Sequence, residues 1–310
     1  MEGAVSRAWE QLHPDVLGVI FEELSMEEKF NVIPLVCKPW GKAVKEEPSC
    51  WKDIDISDWS YGKEPEKVDK MLRLLITRSS GSPQKLCVSN VQLESSFHFI
   101  AEHAQSLLAL KLPKSKMNDS LMKTIAGKFS NLTELDLSYC NKIGAATLEA
   151  IGKNCKSLET FRRNLHPPHV TGKLLHNEEA HAIAATMPKL KSLEIVFNLL
   201  DSNGVLEIIG GCCDLELLDI RGCRGVELGV NYLREKFPRV HVLGPEVEDF
   251  YDEDIWEYYR SDTDSDTWDD DFENLNELIL EDFQRRVTIS FNDGGNDHHQ
   301  EIVNGWPIDP

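Results

Sequence analysis

Leucines in the middle of the chain recur at a fixed interval, and that interval decides what the chain can fold into. The pattern L-x-x-L-x-L stands at Leu107-Leu110-Leu112, Leu132-Leu135-Leu137, Leu190-Leu193-Ile195 and Leu215-Leu218-Ile220. A weaker copy is Leu158-Phe161, with Arg163 where the third apolar residue is due. Pro83-Leu86-Val88 precedes the series and Val240-Leu243 follows it. The first positions step by 24, 25, 26, 32, 25 and 25 residues. Within each unit, alternating apolar residues predict a short strand with one inward face. Apolar residues at helical spacing follow, as in Leu121, Ile125 and Ala126, or Val205, Ile208 and Ile209. One strand–helix unit cannot bury its own apolar face, so the units must stack into a curved solenoid. The expected class is α/β, a short arc of seven strand starts. A helix over about 65–80 (Val68, Met71, Leu72, Leu75, Ile76) serves as the first, capping unit.

Cysteine placement supports the repeats. Cys155 and Cys212 sit three residues before a strand start, and Cys140 and Cys223 sit three residues after a strand. This resembles the cysteine-containing class of leucine-rich repeats and predicts buried turn and helix-end thiols. None of the eight cysteines forms a C-x-x-C pair, which suggests reduced thiols in the cytoplasm or nucleus. There is no run of 18 apolar residues and no apolar leader segment, so no membrane span and no secretion is expected.

The formal charge of -20 is unevenly spread. Residues 246–310 carry 21 acids and 3 bases, whereas 1–245 are nearly neutral at -2. Such a balance argues against direct nucleic-acid binding through the bulk field. The acidic tail is expected to be largely disordered, yet Phe250, Tyr251, Trp256, Tyr258 and Tyr259 are interleaved in it. It reads either as a solvating tail or as a binding tail; Ser261 and Thr263 each have an acid three residues on.

Residues 9–51 form a distinct N-terminal segment. Pro14 and Asp15 predict a helix start, and Val16, Val19, Ile20 and Leu24 an amphipathic helix. A second short helix is expected over 26–34 and a third from about Cys37. Three short helices of this length sit at the lower limit of independent stability. They carry Leu12, Pro14, Leu17, Ile20, Phe21, Leu24, Val36, Trp40 and Trp51, more than they can hide internally. Something else must cover them; Trp51 is assigned either to the first repeat or to a partner.

The order Leu12-x-Pro14-Asp15-x-Leu17, Ile20-Phe21 and Leu24, then Val36-Cys37-Lys38-x-Trp40, then Trp51 is similar to the F-box. With the downstream repeats, the chain resembles the plant F-box/leucine-rich-repeat proteins, the FBW type in particular. The resemblance implies an F-box over 9–51, repeats with a capping helix over 52–245, and an acidic tail over 246–310. It further implies a substrate-recognition subunit of an SCF-type ubiquitin ligase. The F-box would dock on a Skp-type adaptor joined to a cullin and a RING subunit, and the repeats would hold a protein substrate for ubiquitination. The residues matching the adaptor-facing motif are Leu12, Pro14, Leu17, Ile20, Phe21, Leu24, Val36, Cys37 and Trp40. Alternatives are a scaffold that pairs with the adaptor only, or a small-molecule-gated receptor.

No phosphate-binding, nucleophile-elbow or dinucleotide motif occurs, and His166, His169, His176 and His181 lack metal spacing. The chain is therefore read as non-catalytic, with no cofactor and no metal. Between the leucines, two rows should face the concave side: Lys111, Asp136, Arg162, Glu194, Asp219, and Ala109, Glu134, Thr160, Ser192, Leu217. The first row is either a cross-strand charge ladder or a substrate-reading surface. The long step of 32 places Arg163 in an inward slot ahead of the loop Asn164-Leu165-His166-Pro167-Pro168-His169. Arg162, Arg163 and His166 are the candidate substrate-binding residues, or they order that inserted loop.

Overall fold

The computed structural model describes residues 9–166 and 173–246. The expected tail from 247 onward, and the Pro167-Pro168-His169 part of the inserted loop, lie outside the described residues. Eight strands form one parallel sheet in strictly sequential order, β1 (Asp53–Asp55), β2 (Lys85–Cys87), β3 (Ala109–Lys111), β4 (Glu134–Asp136), β5 (Thr160–Arg162), β6 (Ser192–Glu194), β7 (Leu217–Asp219) and β8 (His241–Leu243). Each strand pairs in register with the next, so the two rows predicted to face the concave side line up residue by residue. The middle residue of every strand points into the core.

The expected first unit needs correction. The arc starts one strand earlier than the leucine pattern suggested, because Trp51-x-x-Ile54-x-Ile56 has the same spacing and all three are buried. Tryptophan in place of leucine, flanking aspartates and a step of 32 to Pro83 disguise it.

Helices on the convex side complete the units. After three N-terminal helices, α1 (Pro14–Glu22), α2 (Ile33–Val36, preceded by a π-turn over Glu28–Val32) and α3 (Lys38–Glu46), come α4 (Ser57–Ser60), α5 (Pro65–Arg78), α6 (Glu94–Glu102), α7 (Asp119–Ile125), α8 (Ala145–Asn154), α9 (Glu178–Thr186), α10 (Ser202–Gly211) and α11 (Val230–Lys236). Asn118 and Asp201 cap α7 and α10 by accepting main-chain N–H bonds. Cys140 Sγ donates to the Leu112 carbonyl at 3.3 Å and Cys223 Sγ to the Ile195 carbonyl at 3.1 Å, so each thiol ties its turn to the preceding unit. Six cysteines are buried and none is bridged among the described residues. Burial pushes Cys50 and Cys140 up to about 11 and Cys87, Cys155, Cys212 and Cys223 up to about 12. At neutral pH these are packed, protonated thiols.

The hydrogen-bond ladder continues past the strand ends. Asn90, Lys114, Tyr139, Phe197 and Gly222, each three residues beyond its strand, have positive φ. Their N–H groups donate to Pro113, Ser138, Asn164, Arg221 and Pro245 of the next unit at 2.7–2.9 Å.

Arg163 occupies the slot filled by Leu112, Leu137, Ile195 and Ile220 in other units and is only 2% exposed. Its Nη2 donates to Glu179 Oε1 and to the Ile143 carbonyl, both at 3.1 Å. Glu179, at the start of α9, is itself buried, and its Oε2 accepts from Asn198 Nδ2 at 3.4 Å. Arg163 Nε and Nη1 have no partner among the described residues. The pair therefore pins the strand before the insertion to the helix after it. Arg163 does not reach the surface where a bound protein would meet it, and the expectation that it contacts a partner is corrected accordingly. Removing one member of a buried pair strands the other charge, so Glu179→Leu should cost about 3–5 kcal/mol. Arg163→Ile combined with Glu179→Leu should recover that loss. Urea-denaturation midpoints of the two single variants and the double variant check both statements.

Candidate functional site

The N-terminal helices are built around a short aromatic core. Leu17 and Phe21, four residues apart, are each 1% exposed. The Phe21 ring meets Trp40 edge-on at 5.3 Å, and Trp40 Nε1 donates to the Trp9 carbonyl at 3.2 Å. Gly18 lets α1 approach the 48–51 turn, since a Cβ there would lie 2.2 Å from Ser49 Oγ. Ser25 and Glu28 form a reciprocal cap ahead of the second helical stretch: Ser25 N–H donates to Glu28 Oε2 at 2.9 Å, and Glu28 N–H to Ser25 Oγ at 3.2 Å. Lys29 Nζ is buried and donates to the Glu22 carbonyl at the end of α1 at 3.0 Å; burial holds its pKa below the usual lysine range.

Trp51 joins this core to the repeats. It is fully buried, its Nε1 donates to the Val44 carbonyl at 2.9 Å, and Phe30 packs against it at 5.3 Å. The Arg78 guanidinium at the end of α5 lies 5.0 Å from the same ring. Of the two assignments open for Trp51, packing on the first repeat is the one seen.

What the core leaves outside is an apolar face. Val16, Val19 and Ile20 on α1, and Val32, Leu35 and Val36 on the second helical stretch, are between 42% and 80% exposed, with Trp9 at 52% beside them. These are seven of the eleven large apolar residues exposed among the described residues. Natural monomers rarely leave so dense a cluster uncovered. The nine motif residues divide between the two faces of this layer. Pro14, Ile20 and Val36 lie on the exposed face; Leu12, Leu24, Cys37 and Trp40 are half-buried at its margin; Leu17 and Phe21 lie beneath it. Motif reasoning missed Trp9, Val16, Val19, Val32 and Leu35 as surface residues. The available signal was an α1 apolar on two faces: Leu17 and Phe21 fill the inner one, leaving Val16, Val19 and Ile20 for the outer.

The concave face of the repeats is charged and internally paired. Glu134 Oε1 accepts from Lys111 Nζ at 2.9 Å and from Arg162 Nη1 at 2.6 Å, and Arg162 Nε donates to Glu194 Oε1 at 2.8 Å. Two of these bonds run between the two rows, since Glu134 of the second joins Lys111 and Arg162 of the first; that of Arg162 to Glu194 runs along the first, while Asp219 pairs with Arg221 of its own turn. Burial raises the Glu134 pKa and lowers that of Arg162, but the bonds of Glu134 with Lys111 and Arg162, and of Arg162 with Glu194 and Glu134, outweigh it, leaving Glu134 below and Arg162 above the ordinary value. His166 stacks on Tyr139 with ring centroids 4.1 Å apart. Thus Arg162 and His166 do not converge on Arg163, which lies under the sheet edge. Among the described residues no cluster of His, Cys, Asp or Glu could hold a metal, and no helix is long and apolar enough to cross a membrane.

No protein-family profile matches the chain. Among known proteins it is 45% identical to F-box protein FBW2 of Arabidopsis thaliana over 287 residues, 86% of this chain and 90% of that one. The chain belongs to the plant F-box protein family. Two further F-box proteins of the same plant are similar: SKIP19, 30% identical over 88% of this chain and 90% of its own length, and SKIP1, 33% identical over 69% and 79%. In this F-box protein the apolar face lies on the N-terminal helices, and the paired charges lie on the repeats.

Asp136 is the carboxylate of the concave surface with the least favourable setting. Burial raises its pKa above 3.8, against the bonds from Ser138 and the nearby Arg162, and Glu194 adds to the rise. The folded state then holds that proton to higher pH than the unfolded chain, so the stability it contributes is complete below about pH 3.8 and is lost as pH rises. Asp136→Asn keeps the acceptor for the Ser138 N–H, which lies 2.8 Å from Oδ1. The variant should therefore raise the denaturation midpoint at pH 7, with the gain shrinking toward pH 4 in a pH series.

Proposed function

We propose that this F-box protein is a substrate receptor of an SCF-type ubiquitin ligase, docking on a Skp-type adaptor through the F-box and holding a protein substrate on the repeats. The observation that carries the reading is the concentration of exposed apolar side chains between Trp9 and Val36. Each such residue is worth ~1.5–3 kcal/mol when a partner covers it. In this reading Trp9, Pro14, Val16, Val19, Ile20, Val32, Leu35 and Val36 contact the adaptor. Leu12, Leu24, Cys37 and Trp40 frame the contact, and Leu17 and Phe21 hold α1 in place from within. The chain performs no bond chemistry. It raises the effective concentration of a substrate lysine beside a conjugating enzyme carried by the cullin–RING assembly. Family membership supports the reading, as does the absence of catalytic motifs from the sequence.

Val19 and Leu35 are 61% and 80% exposed, so charging them leaves the core intact. Val19→Glu with Leu35→Glu should weaken adaptor binding at least ~100-fold, the equivalent of about 3 kcal/mol, and remove cullin from co-purified material. Calorimetric titration with the adaptor, alongside an unchanged circular-dichroism melt, is the measurement. Undiminished adaptor capture by the double variant would refute the assignment, and adaptor capture by the wild type without cullin would favour a scaffold.

A further inference from the structure

The charges of the two sheet edges differ. The five loops leaving β3 to β7 span 112–118, 137–144, 163–166 with 173–177, 195–201 and 220–229. They contain seven lysines and arginines against two acids, Asp201, whose side chain caps α10, and Glu227. The loops entering strands at the opposite edge, from 79–84 to 237–240, mix five bases with three acids. Since residues 1–245 carry a balance of only -2, this concentration is local and not compositional.

Three of the seven bases have roles within the fold. Arg163 pairs with Glu179, Arg221 with Asp219, and Lys114 sits 4.6 Å from the centre of the Tyr61 ring. The other four, Lys116, Lys142, Lys173 and Arg224, are exposed and form no ion pair among the described residues. The edge is also apolar. Leu174 and Leu175 are 88% and 50% exposed, and Tyr139, stacked on His166, and Phe197 stand on the positive-φ rungs that extend the ladder. The Phe197 ring lies so close to Gly222 that a Cβ there would be 2.2 Å away, which fixes the ring over the edge. Holding two aromatic residues at positive φ carries a conformational cost of order 1 kcal/mol each, and such sites cluster where side chains must be presented in a set direction.

We propose that this C-terminal strand edge is a docking surface for an extended acidic segment carrying large apolar or aromatic side chains, contributed by a partner protein. The proposal rests on the receptor reading in that it names the class of segment the repeats capture. Adjacent strands are ~4.8 Å apart, so the five loops extend over ~19 Å, which an extended peptide spans in about six residues. Carboxylates would meet Lys116, Lys142 and Arg224, and alternate side chains would rest on Leu174, Leu175 and the aromatic rungs. A nucleic-acid strand fits less well, because its phosphates would leave the exposed leucines uncovered.

The test uses the full chain and a fluorescein-labelled decapeptide alternating Asp with Leu and Phe, read by fluorescence anisotropy. A second full chain, with the acids between 249 and 282 changed to their amides, removes the repulsion that a net charge of -20 exerts on the probe. Binding should weaken with added salt, fall at least tenfold in Lys116→Glu/Lys142→Glu/Arg224→Glu, and fall severalfold in Leu174→Ser. Full binding by the triple variant, equal binding of an all-Asp decapeptide, tighter binding of a ten-nucleotide single-stranded RNA, or no binding to either chain would each overturn the proposal. Adaptor capture is measured on the same samples. The triple variant should retain it, so failure of peptide docking and failure of the adaptor reading give different results.

Discussion

Trp51 belongs to two cores at once. It closes the aromatic cluster of the N-terminal helices, and it is also the first inward residue of the first repeat, followed at the repeat spacing by Ile54 and Ile56. Its indole N–H is tied to Val44 on one side and its ring faces Arg78 on the other. Neither part can hide this side chain alone. The buried residues accordingly form one continuous cluster from Leu17 to Val242, with no break between the N-terminal helices and the repeats. The N-terminal helices are thus fixed to the solenoid by packing, and their outward apolar face keeps a set position relative to the repeats.

The repeats were legible because their physics is periodic. A parallel in-register stack demands the same apolar positions in every unit, and a residue pattern repeated six times stands out of any background. Trp51-x-x-Ile54-x-Ile56 is disguised, because only the spacing persists while the residue types change. The F-box was legible as a motif, but a motif does not say which of its residues point outward. In α1, Leu17 and Phe21 are as apolar as Val19 and Ile20, and only the direction of the neighbouring helices decides which pair is covered. The concave charges presented the same difficulty. Their alternation allowed either pairing or recognition, and only side-chain geometry showed Arg162 held between Glu134 and Glu194.

Arg163 shows a local rule broken and compensated elsewhere. The sequence marked it as an arginine in an apolar slot, and burial of an unpaired guanidinium is too unfavourable to persist. The compensating carboxylate lies sixteen residues on, across the insertion, at a position no short-range pattern could single out. The compensation is incomplete, since two of the guanidinium nitrogens lack partners among the described residues.

That incompleteness bears on how the stack comes apart. In a linear array each unit is held only by its two neighbours, so cohesion is set joint by joint. The fifth unit keeps Leu158 and Phe161 in the common core, but its third inward slot holds an ion pair with unsatisfied donors in place of a leucine-like side chain. An unfoldase pulling on the C-terminal end would draw off β8, β7 and β6 and meet its least cooperative seam at β5. The N-terminal helices and the first four units would remain as a folded remnant, still able to present the helical face that Trp51 anchors.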